Sequence, residues 1–174
     1  MAKAFIVTHP ETALDHKGRI HGNLDPPLSY TGRQKAKQIA SSFANKGIKR
    51  IHTSPRKRAK ETADEISKTT GAPVHINMDL EPWDLSSLSG AKTASISPVL
   101  DFFNNRPDRA IPGGESKQAF LDRYKRFVRG LRGGDMLVGH SQHSLAYDHV
   151  TKGGDASKVP MIGGKSGEVR EIDV

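Results

Sequence analysis

Two histidines close short apolar runs: His9 follows Ala4-Phe5-Ile6-Val7-Thr8, and His140 follows Met136-Leu137-Val138-Gly139. A neutral imidazole is a nucleophile through one nitrogen and a donor through the other, although a lone histidine is more often structural. Between the two in the chain lies Thr53-Ser54-Pro55-Arg56-Lys57-Arg58-Ala59, where a strand hands over to a helix. Helix-start amides, the positive end of the helix dipole and guanidinium groups together make an anion site there. Two histidines and an arginine at one edge can bind a phosphoryl group and transfer it.

The elements that must position these residues alternate in type. Ala4-Phe5-Ile6-Val7, Ile48 to Thr53, Val74-His75-Ile76 and Met136-Leu137-Val138 read as strands. A helix is predicted from Ser29 or Thr31 to about Asn45, with its apolar stripe on Ala36, Ile39, Ala40, Phe43 and Ala44. A second is predicted to start at Ser54-Pro55, with the serine as cap and the proline in the first turn, and to run to Gly71. Asp79 to Gly90 is irregular, and a shorter helix is predicted over Ser97 to Asn104. Phe120, Tyr124, Phe127, Val128 and Leu131 carry a helix over Glu115 to Leu131; one more helix follows His140, and Glu168 to Val174 alternates as an edge strand. The expected fold class is therefore α/β, a three-layer sandwich whose largely parallel central sheet is flanked by helices, with residues 1–174 forming one domain. In such a sheet the crevice beyond the strand C-termini is the usual ligand site, so both imidazoles are expected to converge there.

Composition narrows the chemistry. The chain has no cysteine, which excludes disulfides, a thiolate metal site and a thiol nucleophile. No apolar run approaches the ~18 residues of a membrane span, and the start of the chain is too short for a signal-peptide apolar region, so the expected compartment is the cytoplasm. The formal net charge is +8, and from Pro26 to Lys60 there are ten Lys or Arg and no Asp or Glu. Such a block fits either a nucleic-acid footprint or solvated helix faces beside a phosphate pocket. The second reading is adopted, because only Tyr30 and Phe43 interleave with the charges and a base-stacking platform is missing. Gly163-Gly164-Lys165-Ser166 imitates the end of a P-loop, but Val159 stands where its first glycine belongs, so it reads as a turn. His140, His143 and His149 have no carboxylate at ligand spacing and read as ordinary polar histidines.

In order along the chain, Thr8-His9-Pro10-Glu11-Thr12, Gly22-Asn23-Leu24-Asp25-Pro26-Pro27-Leu28-Ser29-Tyr30-Thr31-Gly32, Ser54-Pro55-Arg56-Lys57-Arg58-Ala59-Lys60-Glu61-Thr62-Ala63, Gly113-Gly114-Glu115-Ser116 with Phe120 and Arg123, and His140 resemble the signatures of the histidine phosphatase (phosphoglycerate-mutase-like) superfamily. The resemblance implies that His9 is the nucleophile of a phosphomonoester hydrolase working through a phosphohistidine. Arg58 and His140 would then hold the phosphoryl oxygens, and neither a metal nor another cofactor is needed. It further implies that Thr8, Glu11, Thr12, Asp15, Arg56 and Ser141 border a small phosphorylated substrate. At 174 residues a phosphatase fits better than the usually longer mutases.

The chain departs from the family pattern at two places. Thr8 occupies the position of the family's first arginine, removing a charge-assisted contact of about 1.5–3 kcal/mol. Arg19, Arg33, Arg56 or Lys57 can supply the charge instead, Arg56 first because it neighbours Arg58. The family's general acid falls, without gaps, on Pro82, so Glu81 and Asp84 are the candidate acids. Asp84 is slightly favoured because Trp83 can desolvate it. The rival class is a family descendant without activity that binds phosphate or nucleic acid through its basic surface.

Overall fold

The computed structural model describes residues 1–174. Its centre is a five-stranded sheet in the order β3-β2-β4-β1-β5, built from β1 (Lys3–Thr8), β2 (Arg50–Thr53), β3 (Val74–Ile76), β4 (Asp135–Gly139) and β5 (Val169–Asp173). The first four run parallel, and β5 closes one edge antiparallel to β1. β1 and β4 are apolar on both faces because helices cover both sides. Ala4, Ile6 and Leu137 join one core, whereas Phe5, Val7, Met136 and Val138 join the other, as the two-residue period of a strand requires.

The second core is closed by α2 (Tyr30–Ser42) and α3 (Lys57–Thr70) through Ile39, Ala40, Ala59, Ala63 and Ile66. The first is closed by α4 (Thr93–Asn104), α5 (Lys117–Val128) and α6 (Ser141–Lys152) through Leu100, Phe120, Tyr124, Ala146 and Val150. A single turn, α1 (Ala13–His16), follows β1. The result is the expected α/β sandwich with a mostly parallel sheet.

Register sets the functional edge. Thr8 pairs with Gly139, and Thr53 with Val138, so His9, Ser54 and His140 are the residues with which three adjacent segments leave the sheet. The His9 N–H donates to the Gly139 carbonyl at 3.0 Å, and the Ser54 N–H to that of Val138 at 3.1 Å.

Two helix starts differ from expectation. α3 begins at Lys57, not at Ser54-Pro55, and Arg56 at its N-cap makes no side-chain capping bond. The cap comes from another loop: Asp25 accepts from the Lys57 N–H at 2.7 Å. The end of α3 is therefore already satisfied and does not offer that amide to a ligand. α4 begins at Thr93, not Ser97, and carries Pro98 inside. A proline there removes one backbone bond, and the burial of Leu100 compensates. At Gly32 a side chain would run into the Glu11 carbonyl, so the loop after β1 lies directly on the first turn of α2.

Candidate active site

His9 is buried, and its Nδ1 lies 2.7 Å from the carbonyl oxygen of Pro10. That contact requires Nδ1–H, which leaves the lone pair on Nε2. Arg58 donates from Nε to this same Nε2 at 3.3 Å. Burial, together with the charges of Arg58 and His21, lowers the His9 pKa to about 3. The imidazole is thus neutral, in one tautomer, with its nucleophilic nitrogen held beside a guanidinium. Arg58 is itself buried and also donates to the Leu24 carbonyl. Burial and the neighbouring Arg56 depress its pKa to about 10, so it stays cationic at neutral pH.

The His140 ring stands edge-on to that of His9, with centroids 5.3 Å apart. Its Nε2 lies 2.8 Å from Ser54 Oγ, which also accepts from the Arg56 N–H at 3.3 Å, so Ser54 ties His140 to the approach to α3. The His140 N–H donates to Nδ1 of His143, one turn into α6. Burial, with Arg58 and His9 adding to it, drives the His140 pKa well below the usual imidazole range. Ser141 and Gln142, the first residues of α6, line the same cleft, so the positive end of that helix opens on it.

The other wall is held from behind. Arg123 donates to the carbonyls of Asp79, Glu81 and Pro82 and pairs with Glu115. Trp83 is fully buried; its indole N–H donates to the Glu115 carbonyl, and its backbone N–H to Gln142 Oε1. The clamp presents Pro82, Trp83 and Leu85 to a cleft of about 300 Å³. Ile20, Leu100, Met161 and Ile162 add apolar surface, and Arg19, whose Nη1 donates to the Gly90 carbonyl, adds a charge.

Of the residues singled out from sequence, His9, Asp15, Arg58, His140 and Ser141 line this cleft. The others lie outside it. Glu81 is held in an ion pair with Arg56 at 2.7 Å, and neither lines the cleft. Asp84 accepts from Asn23 and from the Ser86 N–H. Glu11 binds His16 and Thr31, Thr12 caps α1, and Thr8 is buried with a hydroxyl that has no partner. Arg33 turns back to the Leu28 carbonyl and Lys57 is exposed, so Arg19 is the only one of the four proposed substitutes for the missing arginine that reaches the cleft.

Sequence reasoning passed over His21, Gln142 and the Met161–Gly164 segment, which also line it. The Gly163-Gly164 pair was the available signal: a side chain at Gly164 would collide with Ser141, so the loop packs against the start of α6 as backbone.

A mostly parallel sheet with two imidazoles and a buried arginine at the C-terminal edge of its central strands defines an α/β protein with a cationic cleft at that edge. The model of the histidine phosphatase superfamily (branch 1) matches residues 4–144, and the chain belongs to that family. It is 31% identical over 128 residues to the probable phosphoglycerate mutase GpmB of Salmonella typhi, a match covering 71% of this chain and 60% of that protein. The chain thus matches about 60% of the length of such curated relatives. Among solved structures, a mycobacterial glucosyl-3-phosphoglycerate phosphatase superposes with a TM-score of 0.88 at 22% identity, covering 99% of this chain and 91% of that one. The α-ribazole phosphatase of Shigella flexneri gives 0.81 at 21% identity, covering 99% and 90%. No helix is long and apolar enough to cross a membrane.

Proposed function

We propose that the protein is a phosphomonoesterase in which His9 Nε2 attacks phosphorus in line and water then opens the phosphohistidine. The observation that carries this reading is the state of His9: neutral, with Nδ1–H spent on Pro10 and Nε2 left as the free base beside Arg58. Attack forms the N–P bond as the ester P–O bond breaks, and the equatorial oxygens draw on the Arg58 charge and the His140 ring. Arg19 stands in the cleft as a further cation, in place of the arginine missing at Thr8. The apolar residues around it suit a leaving group with hydrocarbon or ring surface, and the small cleft favours hydrolysis over transfer between two bound phosphates. The names of the phosphatases that share the fold support the same class of substrate.

The test is release of phosphate from a generic aryl phosphate together with trapping, by an alkaline detergent quench, of a base-stable, acid-labile phosphoprotein. His9→Ala should abolish both. The rival is a binding protein that keeps the cradle without turnover, favoured by Thr8 and by the absence of Glu81 and Asp84 from the cleft. Salt-sensitive retention of phosphate or an oligonucleotide, with no hydrolysis and no phosphoenzyme, would establish it.

A further inference from the structure

Hydrolysis of an ordinary phosphomonoester needs a proton for the departing oxygen, and the loop on which Glu81 and Asp84 sit supplies none to the cleft. Pro82 faces inward there, and the only carboxylate lining the cleft is Asp15. Burial pushes the Asp15 pKa up, but hydrogen bonds from His21 and from the Thr12 N–H outweigh it and leave a value of about 2. Asp15 is therefore ionised at neutral pH and has no proton to give there. What it has is a neighbour. His21 Nε2 lies 2.6 Å from Thr12 Oγ1 and 3.4 Å from Asp15 Oδ2, so both oxygens face one ring nitrogen. Its ring stands edge-on to that of His9 with centroids 5.4 Å apart, matching the spacing of His140 on the other side.

We infer that His21, oriented by Asp15 and Thr12, is the general acid of this site and takes over the role that the loop carboxylates leave vacant. This rests on the phosphatase reading above and adds the missing proton. Nε2–H is held by the two oxygens, which leaves Nδ1 as the nitrogen that serves the cleft. In the first step the N–P bond to His9 forms, the ester P–O bond breaks, and the Nδ1 proton of the imidazolium passes to the leaving oxygen. In the second step water attacks phosphorus, the P–N bond breaks, and neutral Nδ1 receives the water proton, which restores the starting state. Asp15 stands beside His21 as its charged partner, and the cations Arg19 and Arg58 share the cleft. His9 and His140, the other imidazoles in the cleft, are both driven neutral by burial.

The experiment compares two substrates on His21→Gln: phenyl phosphate, whose leaving group must be protonated, and 2,4-dinitrophenyl phosphate, whose leaving group departs as the anion. The expected result is a loss of about 10²–10⁴-fold in the single-turnover rate of phenol release from phenyl phosphate with little change in that of dinitrophenolate release, the second step being common to both esters. Activity on the second substrate also certifies that the variant is folded. Asp15→Asn should weaken phenyl phosphate turnover more than that of the dinitrophenyl ester, because the imidazole loses the carboxylate that orients it. Equal loss in the single-turnover release of both leaving groups would assign His21 to phosphate binding and overturn the inference. So would unchanged activity on phenyl phosphate, or a selective loss in Glu81→Gln instead. Failure of the wild-type protein to hydrolyse either ester or to form a phosphoenzyme would remove the phosphatase reading itself, a different outcome from any of these.

Discussion

The two walls of the cleft are built on different principles. The wall carrying His9, Ser54 and His140 is the end of a sheet: its residues are adjacent because β1, β4 and β2 are in register, and no side chain has to be long to reach the next. The opposite wall, residues 78–88, has two single helical turns, Met78–Leu80 and Ser86–Leu88, and no strand, and it is held in place by Arg123 and Glu115 acting from behind. The sheet edge keeps the family's residues except at Thr8, while the clamped loop places a proline inward and its carboxylates outward. A backbone ladder fixes positions and leaves few substitutions open. A clamp that grips carbonyls fixes the path of a loop and leaves its side chains free to change.

Breaking the sheet-edge wall at its charge should have the largest effect. Arg58→Gln removes the cation beside His9 Nε2, and hydrolysis should fall by about 10³–10⁵-fold, the range seen when a phosphoryl-stabilising arginine is lost. Steady-state kinetics on an aryl phosphate, with circular dichroism as the folding control, measures it. A loss below tenfold would mean that Arg19 carries the phosphoryl charge and Arg58 is structural.

Acid should find the same wall next. Burial, with Arg58 and His21 adding to it, lowers the pKa of His9 to about 3; burial, with Arg123 adding to it, does the same for His143; and His140 is also driven well below its usual value. In the unfolded chain all three titrate near 6.5. As the pH drops below that value the unfolded state binds protons that the folded state refuses, so stability is present above ~6.5 and is lost toward ~3. With three such groups the slope approaches about 4 kcal/mol per pH unit at its steepest. Urea midpoints recorded from pH 7 to pH 4 test this. A flat profile would show that these imidazoles are reached by water.

The clamp predicts a smaller and differently distributed loss. Arg123→Ala leaves three carbonyls and the Glu115 carboxylate without their donor. Because both partners of the ion pair retain some exposure, the cost should be about 2–4 kcal/mol, at the lower end of that for a broken buried pair. KM should rise more than kcat falls, since the loop shapes the cleft and its carboxylates do not face it. A kcat loss as large as that of Arg58→Gln would erase the distinction between the two walls.

How much of this could be read from the sequence follows the same division. His9 and His140 were legible because each ends an apolar run, and strand ends in a parallel sheet have one destination. Arg58 was legible because its spacing from Ser54-Pro55 is a motif. Nearest neighbours point to Ser54 as a helix cap, and its hydroxyl does meet the Arg56 N–H, but its shorter contact is to His140, 86 positions away. The true cap, Asp25, lies in a motif whose purpose no local rule reveals. Glu81 and Asp84 are candidates because they flank the position on which the family's acid falls, but the direction of a loop side chain depends on Arg56, which pairs with Glu81, and on Asn23, which binds Asp84, partners that sequence distance hides. His21 escaped because its meaning comes from Asp15, itself visible only as one carboxylate among many.

The smallest effect should come from the one sheet-edge position that departs from the family. Thr8 is buried, and its hydroxyl has no hydrogen-bond partner. Thr8→Val keeps the shape and deletes a polar group that bonds to nothing in the folded protein, so stability should stay level or rise by up to about 1 kcal/mol. Hydrolysis should remain within about twofold, since an energy of that size at a group outside the cleft moves a rate little. Thermal melting and kcat/KM on the aryl phosphate measure the two quantities. A fall in activity of tenfold or more with an unchanged melting temperature would show that the hydroxyl turns toward bound phosphate and that Thr8 retains part of the arginine's work. In that case the sheet edge is a complete binding surface in altered form, and the contrast with the clamped loop becomes one of degree.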